Sequence, residues 1–544
     1  MAAPQFSTPA PNAAQSASLE KRVMARAGRA FSGKAVFEQS LEDIYEYILP
    51  FRKPVGSDVA GTRRGRRAYD GTAIKSAFRF AGRMQKDLLP PFQRWFNLTP
   101  GPLIKDPAQR KQVADALNDA TEVVAAVFNK GGFHTACHEM FLDLVGGTGT
   151  LLVLEGDDDE LVKFIAVPAA EIAIEEDGYG KVKGVYWVKR YEAMDLMDTW
   201  PDGKFSTKMQ KRIKDAIRTG SSDLIKITQA TVREGKVWMH YCFAEDESKA
   251  FADEKFETCP YITPRFFKVP GEVYGRGPGH LAAPTVATLN KSMELHLRAA
   301  AMALVGVWTR TSDLAFNPDM SRLAPGSTIA VARNGGPLGK SLDKLPLPGE
   351  FDLSSFVQAD LREASRDLMF DQALPPDAGA VKSATEIVEK MKRLGEDLFG
   401  AYGRLALEIV EPLVVRVLDI LAAKGVLPEV LTVDRLFVRL DATSPMAAGQ
   451  ILEDVRRVVD WLQMLLSLGG PEAMNLAAEI EAVYIWLADK LGVPSDLVRS
   501  AEDVAKMQAQ AAQIQAAQVM PPQAALPPEI PPAATDGGAL SMAA

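Results

Sequence analysis

At 544 residues and 59.1 kDa the chain is longer than one hydrophobic core usually organises, so two or more packed regions are expected. Hydrophobic residues make up 47% and charged ones 24%, which excludes global disorder. Lys and Arg number 62 against 70 Asp and Glu, a net charge of −8 that argues against a protein coating DNA through a general basic surface.

The segment 1–36, rich in Ala, Pro and Ser at its start, has no apolar stretch ahead of a cleavage site and reads as a disordered arm rather than a leader. Leu41, Ile44, Tyr45 and Ile48 then recur at helical spacing until Pro50 and Pro54. A polar loop follows with four arginines, Arg63, Arg64, Arg66 and Arg67. Further helices are expected over 72–89, 107–129 and from Phe133 to Gly146 and Gly147. From about 150 to 270 the texture is β: LLVLEG, VKFIAV, EIAIEEDGYG, KVKGVYWVKRYE and KVWMHYCFAE are separated by turn signals, with one charged helical interruption at 204–219. Helix returns over 281–305, a Gly- and Pro-rich excursion follows to 350, and helix resumes over 351–370. LPPDAG breaks it, and a long helix restarts behind the Ser383/Glu386 capping box, with Pro412 expected to kink it. Helical patterns over 445–467 and 471–491 precede a low-complexity tail. No apolar run is long enough for a membrane span, since Arg298 interrupts the best candidate.

The motifs that could carry chemistry are weak. GGTGT at Gly146–Thr150 lacks the Lys of a phosphate loop and reads as a flexible helix-to-strand turn. Gly275-Arg276-Gly277-Pro278-Gly279 has His280 where a dinucleotide fingerprint has its last Gly, and reads as a hinge into the following helix. His134 and His138 share a helical face, but a zinc hydrolase of the HExxH type needs Glu where Thr135 stands. The run Asp157–Glu160 reads as a solvated hairpin turn. Cys137, Cys242 and Cys259 show no CxxC spacing, which argues against a zinc site or a disulfide framework and fits a reducing cytoplasm. No cofactor or metal is expected.

The helix 281–305 carries two apolar stripes, Val286, Leu289, Met293, Leu297 and Leu304 on one side and Leu295, Ala299 and Met302 on the other. Lys291, Glu294 and Arg298 fill an arc between them at pairing distance. Such a helix suits a place between two neighbours, in a ring around a wet channel or sandwiched inside one subunit.

The order of YEYILPFRKP, WFNLTPG, GGTGTLLVLEG, CPYITPRFFKVPGEVYGRGPGHLAAPTVATLNK and KSATEIVEKMKRLGEDLFGAYGRLALEIVEPLVVRVLDIL, followed by a Gln- and Ala-rich tail, resembles the head-to-tail connector, or portal, proteins of short-tailed double-stranded DNA phages over roughly 37–520. The resemblance implies an α+β, predominantly helical portal fold assembling into a ring with a central channel. Its parts would be a wing at 37–280, helical and then β-rich from about 150, a first stem helix at 281–305 and a clip at 306–350. A second stem helix at 351–371, a tunnel loop at 372–382, a long spine helix at 383–424, a helical crown at 425–502 and a low-complexity tail at 503–544 would complete it.

The function so implied is a non-enzymatic dodecameric ring at one capsid vertex of the virion, made in the host cytoplasm. It would pass the genome during packaging and ejection and hold the tail. The implied partners are the chain itself, double-stranded DNA without sequence specificity, the terminase large subunit, the major capsid and scaffolding proteins and tail adaptors, with no membrane. DNA-facing positions would be Lys291 and Arg298 on the stem and Gln372, Leu374, Pro375, Pro376 and Lys382 in the tunnel loop. Arg322, Arg333, Asn334 and Lys340 in the clip would meet terminase or tail, and the Arg63–Arg67 loop would touch DNA or a neighbour. The alternatives are a metal-dependent hydrolase using His134 and His138 with the acidic turn, and another virion ring such as a tail adaptor.

Overall fold

The computed structural model describes residues 13–52, 65–305, 308–310, 342–344, 351–371, 400–427, 438–442 and 455–467, with a few positions between 469 and 487 and single positions omitted within these ranges. They divide into two units, Met1–Ala447 and Ala448–Ala544, and helix 455–467 is the main described element of the second.

The first unit opens with α1 (Ala13–Tyr47), α2 (Thr72–Leu88), β1 (Phe96–Pro100), α3 (Pro107–Lys130) and α4 (Phe133–Asp143). Short strands follow as β2 (Leu151–Glu155), β3 (Val162–Ala166), β4 (Ile172–Glu176) and β5 (Val182–Glu192). Two helices, α5 (Leu196–Thr199) and α6 (Thr207–Thr219), precede β6 (Leu224–Glu234), β7 (Val237–Ala244), β8 (Ala250–Phe256), β9 (Tyr261–Ile262), β10 (Phe267–Lys268) and β11 (Gly275–Arg276). The long helix α7 (Pro278–Val305) leads to β12 (Trp308–Arg310). Beyond lie β13 (Leu342–Lys344), α8 (Phe351–Leu368), α9 (Glu411–Ala423) and β14 (Val438–Ala442).

An antiparallel sheet of order β4-β5-β6-β7-β8 forms the largest β element. Alternation along β5 serves two layers: Tyr186 packs toward Val23 and Ala27 of α1, while Val185 and Trp187 face the other side with Ile172 and Tyr274. Here the reading of 1–36 as a disordered arm is corrected for 19–36, while 1–12 lie outside the described residues. The described part of α1 begins to pack at Leu19, because Leu19, Val23, Ala27 and Phe31 recur every four residues and the sheet covers that stripe. Lys34 is buried on the same helix and donates to the carbonyls of Ala169 and Ala170 at 2.7 and 2.9 Å. Burial drives its amine down to about 8 against the nearby Glu38.

The main core joins Leu41, Ile44 and Ile48 of α1, Phe80 and Met84 of α2, Met140 and Phe141 of α4, Ala282 and Val286 of α7, and Leu413, Val417 and Leu421 of α9. One further correction concerns the 425–502 region, expected as a helical crown. Within it β14 pairs antiparallel with β1, Phe96 opposite Ala442 and Pro100 opposite Val438. The alternation VRLDA is too short to stand out without its partner, which lies more than 300 positions away. Of the segment 383–424, expected as a long spine helix, the part from 400 to 423 is described and is helical. It is not a continuous α-helix there: a π-turn, Ala406–Val410, stands immediately before α9. Pro412 has no N–H to offer the carbonyl of Glu408, which favours the wider turn. Residues 383–399 lie outside the described residues.

His240 on β7 lies 2.7 Å from the Thr231 hydroxyl, and burial holds its imidazole down to about 4 from an ordinary 6.5. The unfolded chain therefore takes up this proton before the folded one does. Its stabilising contribution is complete above pH 6.5 and is lost as pH falls toward 4, by about 3 kcal/mol. His240→Gln should flatten the fall of the thermal midpoint across that window; an unchanged slope contradicts this account.

Candidate functional site

The start of α7 is built on a glycine clamp. The two glycine motifs pack against each other, and each explains the other. A Cβ at Gly277 would meet the Val145 carbonyl at 2.2 Å, and one at Gly147, whose φ is +95°, would meet the Gly275 carbonyl at 2.1 Å. Residues 144–150 are all buried. The reading of GGTGT as a flexible turn is thereby corrected, and the expected hinge at 275–279 is a locked junction that fixes where α7 begins. Gly277→Ala should lower stability by about 3 kcal/mol through overpacking against backbone. Gly82→Ala on α2, with open space around it, should raise stability by about 0.5–1 kcal/mol. Equal effects of the two in denaturant unfolding would contradict the clamp.

Beyond the clamp, α7 runs out beside α8; one aspartate ties the two helices together and a second ties the end of α8 to α2. Asp70, at the end of the basic loop, donates its backbone N–H to Asn290 Oδ1 on α7 at 2.8 Å and accepts from Arg362 Nε on α8 at 2.8 Å. Burial pushes the Asp70 carboxyl up, but hydrogen bonds from Thr72 and Arg362 outweigh it and hold the group below its ordinary range. At the far end of α8, Phe370 takes a left-handed conformation, φ 54°, that stops the helix. Asp371 then accepts from Ser76 Oγ at 2.7 Å and pairs with Arg79 at 3.1 Å.

Past Asn290 the described side chains of α7 lose their cover. Val286 and Leu289 are buried, whereas Leu295 and Leu297 are 54% and 49% exposed; the expected first stripe is thus a core stripe only in its N-terminal half. On α8, Phe356 is 72% exposed and Val357 43%. Glu294 is shared by Lys291 at 3.0 Å and Arg298 at 2.5 Å. The Lys291 hydrogen bond, with Arg298 and Arg67 nearby, holds its carboxyl below the usual range. The structure thus brings together three residues singled out from sequence, Lys291, Arg298 and Arg67.

Arg66 and Arg67 are exposed, and the Arg67 N–H donates to Glu46 Oε1 at 3.2 Å. Arg63 and Arg64 lie outside the described residues, as do Arg322, Arg333, Asn334 and Lys340 of the expected clip and Gln372, Leu374, Pro375, Pro376 and Lys382 of the expected tunnel loop. Within 306–350, the expected clip, β12 and β13 are described, and they pair antiparallel, Trp308 opposite Lys344.

Sequence reasoning missed a second centre, around Arg265. This buried side chain reaches Glu408 of the π-turn at 2.7 Å, the Gly180 carbonyl at 3.2 Å and the Val273 carbonyl at 3.4 Å, and also pairs with Glu176, which Lys268 shares. One guanidinium ties the β4–β5 hairpin, the strand leading to the clamp and the π-turn before α9. Arginine's planar fork suits such a multi-partner role. A lone Arg between Pro264 and Phe266 gives no sign of it in sequence.

The histidine pair is occupied by structural partners. Gln85 donates to the His134 carbonyl at 2.8 Å and lies 3.2 Å from His138 Nδ1, and His134 Nε2 lies 3.4 Å from Asn129 Oδ1. In the acidic turn, Asp157 pairs with Lys163 at 2.6 Å and Glu160 accepts from the Gly132 N–H at 3.3 Å. Among the described residues no group of three or more His, Cys, Asp and Glu could hold a metal ion, and no helix is long and apolar enough to cross a membrane.

A family model described as bacteriophage head to tail connecting protein matches residues 20–498. The probable portal protein of Bordetella phage BPP-1 is 24% identical over 529 residues, covering 92% of each chain. The portal protein of Salmonella phage epsilon15 is 24% identical over 543 residues, covering 91% of this chain and 93% of that one. Among solved structures, a chain from the virion of a native gene transfer agent particle aligns with TM-score 0.33 and 11% identity, covering 77% of this chain and 88% of that one.

Proposed function

The chain belongs to the family of bacteriophage head to tail connecting proteins, and from that premise we propose that its copies close into a ring at one capsid vertex of the virion. The observation that carries this reading is the hairpin of α7 and α8, which leaves Leu295, Leu297, Phe356 and Val357 uncovered in one chain. Exposed apolar side chains on two rigid, anchored helices fit a head-to-tail contact that repeats until a ring closes.

In this account the ring, of twelve copies, is the passage for the genome. Residues 372–382 form the DNA-facing loop, 306–350 meet terminase during packaging and a tail adaptor afterwards, and the wing meets capsid and scaffolding proteins. The chain itself supplies no chemistry, and the packaging energy comes from the terminase. A channel that passes duplex DNA must not grip it. DNA carries one charge per about 1.7 Å of axis, so a lining crowded with Lys and Arg would bind it tightly and in a strongly salt-dependent way. A net charge of −8 fits weak contact.

Capsid shells assembled without this chain should take up no DNA from terminase and ATP, and shells that contain it should fill. Equal filling of both would overturn the proposal. The isolated ring should also bind duplex DNA weakly at physiological salt, and tight binding with a steep salt dependence would contradict the sliding channel.

A further inference from the structure

Opposite its buried side, each helix of the hairpin carries an ordered stripe. On α7 the outward positions are Pro284, Thr288, Lys291 and Leu295, and on α8 they are Phe356, Asp360, Glu363 and Asp367. Both sets follow the three- and four-residue steps of one helical face. The α8 stripe is acidic with a phenyl ring at one end, and its three carboxylates have no ion-pair partner among the described residues. The α7 stripe ends in an exposed leucine beside a face with two cations, Lys291 and Arg298, for one carboxylate, Glu294.

The relative heights of the two stripes are fixed. Asn290 and Arg362 both meet Asp70, which marks one common level. The β12–β13 pair, Trp308 opposite Lys344, marks a second. Eighteen positions separate Asn290 from Trp308, and eighteen separate Lys344 from Arg362, so the hairpin is antiparallel and in register at both levels. Counting from Asp70, Lys291 stands within one residue of the height of Asp360, and Leu295 within one residue of Phe356. One residue of helix is about 1.5 Å of rise. Rotation about a ring axis preserves height, so for hairpins standing along that axis, residues at equal height are those that meet between copies.

We propose that the occupant of the α7 stripe is the α8 stripe of a second copy of this chain, with Lys291 against the neighbour's Asp360 and Leu295 against the neighbour's Phe356. The inference rests on the ring reading and gives Lys291 a task other than contact with DNA. The contact is heterologous, basic face to acidic face, so it repeats in one direction and rejects the reversed pairing, where like charges would meet.

Lys291→Glu and Asp360→Lys should each lower the ring fraction in native mass measurements by about tenfold, through like charges facing across every interface. The double variant should recover most of it. Independently, Leu295→Cys with Phe356→Cys should yield disulfide-linked ladders of the chain on oxidation. Single variants that assemble like the original chain, a double variant no better than the singles, or no ladder would overturn the registry. Lys291→Glu rings that assemble fully but package DNA abnormally would assign Lys291 to the channel instead. Should the original chain itself form no ring, the ring reading fails, and this result is distinct from the others.

Discussion

Deletion of Leu374–Ala380 leaves assembly intact and abolishes stable DNA packaging. The expectation follows from where the segment begins. Asp371 is held by Ser76 and Arg79, and Phe370 ends α8, so the segment departs from a fixed point at Asp371. The assembly contacts proposed above lie on α7 and α8 and do not involve 374–380. The deletion therefore removes most of the loop the account assigns to DNA and nothing it assigns to the ring. Native mass should be that of the original ring with seven residues removed per copy, and particles carrying the variant should lack full-length genomes. Particles that fill and retain DNA normally would refute the tunnel-loop assignment.

Arg265→Ala is expected to be the most destabilising single substitution in the described part of the chain, by about 3–5 kcal/mol. Removing this guanidinium leaves the Glu408 and Glu176 carboxylates in a largely buried setting, along with two backbone carbonyls that lose a donor. Lys268 still reaches Glu176, and Arg404 lies 3.6 Å from Glu408, but neither replaces the fork that spans both. Glu408→Gln should cost less, because Arg265 keeps Glu176 and both carbonyls. Hydrogen exchange resolved along the chain should show the Arg265→Ala loss concentrated at 400–423 and 265–276. An effect below about 0.5 kcal/mol, the level of an ordinary surface change, would contradict the role assigned to Arg265.

Much of this architecture was legible in sequence wherever periodicity was strong. The helices over 72–88, 107–130, 278–305 and 351–368 were visible from apolar spacing and Pro or Gly stops, and the β-rich middle from its turn signals. The packing part of α1 before Phe37 was hidden by an Ala- and Ser-rich composition that reads as a tail, although the four-residue recurrence of Leu19, Val23, Ala27 and Phe31 was present. Its stability comes from the sheet it covers, which no local window contains. The pairing of β1 with β14 is likewise a long-range event.

For the candidate site, Lys291, Glu294 and Arg298 were found because they lie on one helix at pairing intervals. The acidic stripe of Asp360, Glu363 and Asp367 carries the same three- and four-residue spacing on α8. Asp70, Asp371 and Arg265 could not be found from spacing. Each acts across roughly 90 to 300 positions, and each is an ordinary charged residue until the fold supplies its partners.

The central claim is the ring, and the most direct test is the native mass of the purified chain together with a low-resolution image of the same sample. The account predicts a particle of roughly 0.7 MDa, about twelve times the 59.1 kDa chain, with a central hole wide enough for duplex DNA. A small closed oligomer without a channel would contradict it.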